Sequence, residues 1–350
     1  MKLIRDNIIF IAAVVLMTIT VSGLFLNYAI SVNSNTDNYD KSKNYIKWIE
    51  FNVPFSVLEK ALKYDIESYA KETPLNWIEL LAYVTAKNWG QLTDVKKINK
   101  DIDALVKSLR ENETDNKTEV FDELKANLKQ YNYFFEAYNA VLSGYVGEYE
   151  VLEKSKELPE TEEWVKKYGL KVFSPIAKGY SYSHYDDFGN SRSYGYRRRH
   201  LGNDIMGSIG TPVIAVEDGY IEALGWNQYG GWRIGIRTHD KKKYYYYAHL
   251  RKDHPFNLNL KEGGFVQAGD VIGYLGMTGY STKENVNNIT IPHLHFGIQI
   301  IFDEVQKDGV NQIWIDAYNI VKLLSKNKMP VVKIDKDFEA EKKINMIPTD

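Results

Sequence analysis

Hydrophobic and polar positions follow three different patterns along the chain. Ile8 to Leu26 carries no charge over about 19 residues, enough to cross a bilayer as a helix. Residues 31–42 (SVNSNTDNYDKS) are polar and read as a linker. From residue 45 to about 157, apolar side chains recur at steps of three and four, the period of amphipathic helices. Trp77, Leu80, Leu81 and Val84 form one stripe, and Thr73 before Pro74 is its expected N-cap and first turn. Ile98, Ile102, Leu105 and Leu109 form a second. Phe121, Leu124, Leu128, Tyr131, Phe135, Tyr138, Leu142 and Tyr145 read as one continuous seam. These stripes predict a small helical bundle. A coiled-coil dimer is the alternative, and the many aromatic seam positions argue against a regular two-stranded zipper.

From about residue 170 the period shortens. Apolar, β-branched runs are separated by glycines: TPVIAVEDGYIEALGW, WRIGIRT, KYYYYAHL, DVIGYLG and HLHFGIQI. This is the pattern of antiparallel strands with tight turns, one of them at Asp218-Gly219. A helix is expected over Trp314–Leu324, and the charged residues from Ser325 onward are expected to be peripheral. The predicted class is therefore α+β and multidomain. Residues 1–30 form a cytoplasmic stub and transmembrane helix, and 31–44 a linker. Residues 45–160 form an all-α helical domain, 170–325 an antiparallel β-rich domain, and 326–350 a charged tail.

Lys2 and Arg5 precede the apolar run, which places the following chain outside the cytoplasm as a single-pass membrane protein. The alternative is secretion after signal cleavage; the run is longer than a usual signal core and no clear A-x-A site follows it. Hydrophobic residues make up 44% and charged residues 26%, a balance that supports packed cores and excludes wholesale disorder. Lys plus Arg is 44 and Asp plus Glu is 46, so the net charge of −2 gives no expectation of nucleic-acid binding. The absence of cysteine excludes a disulfide scaffold, a thiol nucleophile and any thiolate metal site.

All seven histidines lie between residues 184 and 295. Three clusters stand out: His200-Leu-Gly-Asn-Asp204, His249 in Tyr-Ala-His-Leu, and His293-Leu-His295. Residues i and i+2 of a strand share a face, so His293 and His295 project together, and Tyr245, Tyr247 and His249 are expected to do the same. Four imidazoles and one carboxylate could then meet at one groove. Such a set suits zinc, which in catalytic sites takes three protein ligands and leaves one position open. The remaining histidines could serve as acid, base or oxyanion partner. His184, His239 and His254 fall outside the clusters and read as surface or loop residues.

The stretches YDDFGNSRSYGYRRRHLGNDI, GTPVIAVEDGYIEALGWNQYGGWRIGI, YYYYAHL, VQAGDVIGYLGMTGYS and IPHLHFGIQ occur in an order that resembles the lysostaphin/LytM-type zinc endopeptidases of bacterial cell walls. The likeness covers about 171–300. It implies a small antiparallel β-domain with a narrow groove, Zn²⁺ held by His200, Asp204 and His295, and His249 and His293 as catalytic histidines. It further implies that the substrate is a peptide bond in a peptidoglycan stem or cross-bridge. A non-catalytic scaffold or activator of the same fold, in an extracellular or sporulation-type envelope complex, is the alternative. The helical region could cover the groove, space it from the membrane, or bind an envelope protein partner.

Two segments, RKDHPFNLNLKEGG after His249 and TKENVNNITIP before His293, are longer than the compact family pattern and are expected as loops bordering the groove. Tyr247 is a candidate oxyanion partner, with sheet packing as its plainer role. Arg197–Arg199 could meet substrate carboxylates or form a solvated charge run. Glu67, ending an amphipathic segment after Val53-Pro54, loosely resembles the acid of lysozyme-like enzymes; a solvated helix face is the plainer reading.

Overall fold

Five helices open the described part of the chain: α1 (Phe55–Ser68), α2 (Trp77–Lys87), α3 (Val95–Glu111), α4 (Lys117–Ala126) and α5 (Tyr131–Leu142). The computed structural model describes residues 46, 49–111, 117–155, 161–309 and 311–347. The apolar run over Ile8–Leu26 and the linker lie outside these residues. Among the described residues no helix is long and apolar enough to cross a membrane. The stripes Trp77/Leu80/Leu81/Val84 and Ile98/Ile102/Leu105/Leu109 are buried in the bundle core, as their period requires.

Two helix limits differ from expectation. The cap of α2 is Asn76, whose side chain accepts from Ile78 N (2.8 Å) and Glu79 N (3.2 Å), so Thr73-Pro74 precedes the helix rather than starting it. Asp65, buried in α1, accepts from Trp77 N (2.9 Å) and from the Tyr168 hydroxyl (2.7 Å) and fixes where α2 begins. The long aromatic seam breaks between α4 and α5. Asn127 donates its side-chain amide to Glu123 O (3.1 Å), the carbonyl that a continuing helix would offer to its own backbone N–H. A turn through Leu128 then redirects the chain, and Tyr131 and Tyr138 still reach the core.

The strands follow. β1 (Val146–Lys154) and β2 (Glu162–Leu170) form a hairpin. Next come β3 (Tyr182–His184), the short pair β4 (Ser191–Arg192) and β5 (Arg198–Arg199), β6 (Asn203–Gly207) and β7 (Pro212–Ile214). β8 (Gly219–Asn227), β9 (Gly231–Arg237), β10 (Lys243–Ala248), β11 (Phe265–Val266), β12 (Val271–Tyr274) and β13 (His293–Ile300) complete the central region. One antiparallel sheet runs β11-β8-β9-β10-β13-β6-β3. Helix α6 (Glu304–Asp308), strand β14 (Ile313–Ile315) and helix α7 (Tyr318–Leu324) come after it. Trp314 therefore sits in a strand paired to β13, and the expected helix begins four residues later.

The charged tail is not peripheral. β15 (Val331–Ile334) and β16 (Asp337–Ala340) form a hairpin, and β17 (Ile344–Met346) pairs with β1. Met329 is buried against Phe173 and Tyr274, and Asp337 meets His254 at 2.7 Å.

Residues from Ile46 onward cluster as one unit, with a hydrophobic core that passes from the helices into the sheet. Its polar joint is buried. The Tyr145 and Tyr245 hydroxyls lie 3.1 Å apart, and Tyr245 donates to Glu217 (2.6 Å). Lys243 donates to the same carboxylate (2.9 Å) and to the Ser143 carbonyl. Buried ionic groups persist only when paired in this way.

Candidate metal centre and groove

Register brings the histidine clusters together. On β13, His295 stands opposite Asp204 of β6 and opposite Ala248 of β10. Directly opposed residues share a face, so Asp204 and His295 meet. His200, just before β6, reaches the same point: its Nε2 lies 2.7 Å from His295 Nδ1 and 3.0 Å from Asp204 Oδ1. His295 Nδ1 lies 3.3 Å from Asp204 Oδ1. Ligands placed tetrahedrally about 2.0–2.1 Å from a zinc ion stand about 3.3 Å from one another, so these three atoms fit such an ion. Gly202 permits the approach, because a β-carbon there would lie 2.8 Å from the His295 ring and 2.6 Å from the Phe296 carbonyl.

Neighbouring groups set the protons. His200 Nδ1 lies 3.1 Å from the Asp187 carbonyl and 3.2 Å from its carboxylate, two acceptors that favour a proton on Nδ1, and 3.0 Å from Arg192 Nη2, while Nε2 faces the site. Arg192 Nη2 binds Asp187 Oδ2 (2.7 Å) and Asp204 Oδ2 (2.9 Å), leaving Asp204 Oδ1 toward the histidines. Burial works against charge at Asp204, but hydrogen bonds from His200 and His295 hold its carboxyl well below the usual range. Burial alone would lower the His200 pKa; its bonds to Asp187 and Asp204 push it up to about 9. A cation entering here displaces a proton, so its affinity falls on acidification. Arg192 and Asp187 were not singled out in the sequence, where they are two of many polar residues in the Tyr- and Arg-rich segment.

His249 and His293 stand beside this trio, with ring centroids 4.8 Å apart. His249 Nδ1 donates to Thr278 O (2.8 Å) and His293 Nδ1 to Ile291 O (2.8 Å). In the neutral tautomer each then presents Nε2 as an acceptor, and His293 Nε2 lies 3.6 Å from Asp204 Oδ1. Burial, followed by the charges of His293 and His295, holds the His249 pKa well below its ordinary value.

The face expected for His249 is corrected. Tyr245 and Tyr247 are fully buried in the core, and Tyr247 accepts a hydrogen bond from Val216 N (3.0 Å). That rules out Tyr247 as an oxyanion partner. Tyr244 and Tyr246 line the groove instead. His249 joins them because its φ is +61°, which ends the two-residue alternation and turns the ring to the other face. Its N–H donates to Gly230 O (2.7 Å), holding that conformation.

The groove holds about 830 Å³, and among the described residues its lining comes entirely from positions 192–314. The helical region joins the opposite, Tyr245 side of the sheet, and none of its described residues lines the groove. Of the two long segments, Asn288–Ile291 borders the groove. The other braces the first from behind, through Asp253 and Asn285 (2.7 Å). Arg198 lies 4.8 Å over Tyr229 and donates to the Tyr194 carbonyl (2.8 Å), while Arg197 and Arg199 are exposed. His184 is packed on Tyr318 and His254 Nε2 is hydrogen-bonded to Asp337 (2.7 Å), so neither is a free surface residue. Glu67 lies on the surface of α1, 3.6 Å from Lys63, away from any such cluster.

Residues 198–311 match the model of Peptidase family M23. An L-Ala–D-Glu endopeptidase of Bacillus subtilis (strain 168) is 41% identical over 124 residues, 35% of this chain and 36% of that protein. The glycyl-glycine endopeptidase ALE-1 of Staphylococcus capitis is 40% identical over 120 residues, 34% of this chain and 28% of that protein. The solved catalytic domain of the antimicrobial peptidase lysostaphin from Staphylococcus simulans gives 33% identity and a TM-score of 0.31, covering 40% of this chain and 92% of that one. The matched part thus spans about a third of the two curated relatives.

Proposed function

Residues 198–311 being a LytM/lysostaphin-type M23 peptidase domain, we propose that the chain is a zinc-dependent endopeptidase that hydrolyses peptide bonds of peptidoglycan stems or cross-bridges. The observation that carries this reading is the convergence of His200 Nε2, Asp204 Oδ1 and His295 Nδ1 in a groove beside two further imidazoles. Those three residues would hold the ion. Zinc bound there would supply Lewis-acid polarisation of a carbonyl and lower the pKa of a water.

The chain's own groups do the rest. Asp187 favours a proton on His200 Nδ1, and Arg192 orients Asp204. Thr278 and Ile291 carbonyls hold His249 and His293 with Nε2 toward the site. These nitrogens accept a proton from the attacking water, return one to the leaving amine and hydrogen-bond the tetrahedral intermediate. Residues 8–26 are proposed to anchor the chain in the cell membrane with this domain outside the cytoplasm.

The test joins two measurements on one sample of the purified chain: zinc by elemental analysis, and digestion of defined peptidoglycans with the fragments identified by mass spectrometry. About one zinc per chain and a new peptide terminus are expected. No zinc after metal is supplied would overturn the ligand assignment. Zinc without any cleavage across stem and cross-bridge types would favour a scaffold.

A further inference from the structure

Beyond the histidines the groove is basic: five Arg or Lys side chains line it against two Asp, which favours an anionic ligand. Several of these cations already have partners. Arg192 is held by Asp187 and Asp204, Lys307 by Glu222, and Arg198 by the Tyr194 carbonyl. Arg233 is different. Its Nη1 is buried and has no hydrogen-bond partner among the described residues. Leaving a buried guanidinium N–H unmade is costly, so such a group is primed for an acceptor that arrives from outside.

Register places that group relative to the chemistry. Asp204, His295 and Ala248 form one cross-strand row over β6, β13 and β10. Tyr247 of β10 opposes Ile234 of β9, so the next position sets Arg233 opposite Ala248, on the groove face. On its other side Arg233 opposes Gly225 of β8. The row therefore reads ligand, ligand, small residue, arginine, glycine. Ala248 and Gly225 leave a flat floor on either side of the guanidinium. The Tyr246 ring, 5.8 Å from that of His295, bridges the same interval.

We propose that Arg233 is a specificity residue, forming a subsite that binds a carboxylate of the peptide next to the scissile bond. Strands are about 4.8 Å apart, so two strand spacings separate the Arg233 and His295 backbones, a reach of a few extended residues at most. A planar guanidinium takes a carboxylate through two parallel N–H···O bonds, which a carboxamide cannot reproduce. The inference rests on the endopeptidase reading for the identity of the peptide, and on Arg233 alone for the charge.

The experiment uses the whole chain and a pair of L-Ala–D-Glu peptides blocked at both ends. In one the glutamate's unlinked carboxyl is free; in the other it is a carboxamide. Binding is measured by calorimetry, and cleavage separately. The free-acid peptide should bind at least about 10-fold more tightly, Arg233→Gln should abolish the difference, and Arg233→Lys should keep part of it. Unchanged melting temperatures would show that both variants fold. Equal affinity of the two peptides for the unsubstituted chain, or a preference that survives Arg233→Gln, would overturn the subsite. A preference without cleavage would retain the subsite and count against the endopeptidase. Cleavage without a preference would do the reverse.

Discussion

The joint between helices and sheet and the groove use buried polar groups in opposite ways. In the helical half, Asp65 spends its acceptors on a helix start and a tyrosine, and the joint to the sheet pairs Lys243 with Glu217. Each of these groups is answered from within the fold. Around the groove, among the described residues, His249 and His293 are satisfied at one nitrogen and left open at the other, and Arg233 keeps a buried N–H unanswered. Completed networks hold a structure in place, whereas open valences in a concave site mark where another molecule completes them.

This contrast can be broken most sharply at the metal trio. Asp204→Ala or His200→Ala should remove bound zinc and reduce cleavage by about 1,000-fold or more, read by elemental analysis and fragment release on the same samples. Zinc retained at full stoichiometry in either variant would sever these residues from the ion. Next in size is His249→Ala, expected to lower turnover by about 100- to 10,000-fold with zinc retained. Turnover close to that of the unsubstituted chain would remove His249 from the mechanism.

A closed network should respond differently. Lys243→Met leaves Glu217 buried without its cation, at a cost of about 3–5 kcal/mol in stability. Denaturant melts would register that loss, while zinc per folded chain should not change. A fall in zinc with unchanged stability would place the joint in the site rather than the scaffold.

The smallest effect is a pH dependence. Burial lowers the His184 pKa from 6.5 to about 4, and both ring nitrogens lack hydrogen-bond partners among the described residues. Between these values the unfolded chain binds the proton and the folded chain does not. Stability is therefore full above about pH 6.5 and declines as pH falls toward 4, by up to about 3 kcal/mol. His184→Phe keeps the ring against Tyr318 and should flatten melting temperature against pH over that window. An equally steep profile in the variant would assign the acid sensitivity elsewhere.

Much of this was legible before the fold. The 3–4 stripes located the helical core, and the i, i+2 rule put His293 and His295 on one face. Two of the failures share a cause: one local residue overrode a period. Asn127 captured a helix carbonyl and split a seam, and the left-handed backbone at His249 reversed the face expected from Tyr245 and Tyr247. Arg233 was invisible for another reason. Its place beside the site depends on the register of four strands, and spacing along one strand carries no trace of it.

The pairing of β17 with β1 has a consequence in time. Tyr149 waits for Met346, on the order of 200 residues later in synthesis, before its outer edge is filled. A ribosome, or an export channel passing the chain in order, must therefore deliver everything from β1 through β17 before that sheet can close. Until then the edge of β1 is open to strands of other molecules, and holding the nascent chain apart from its neighbours becomes part of making the protein.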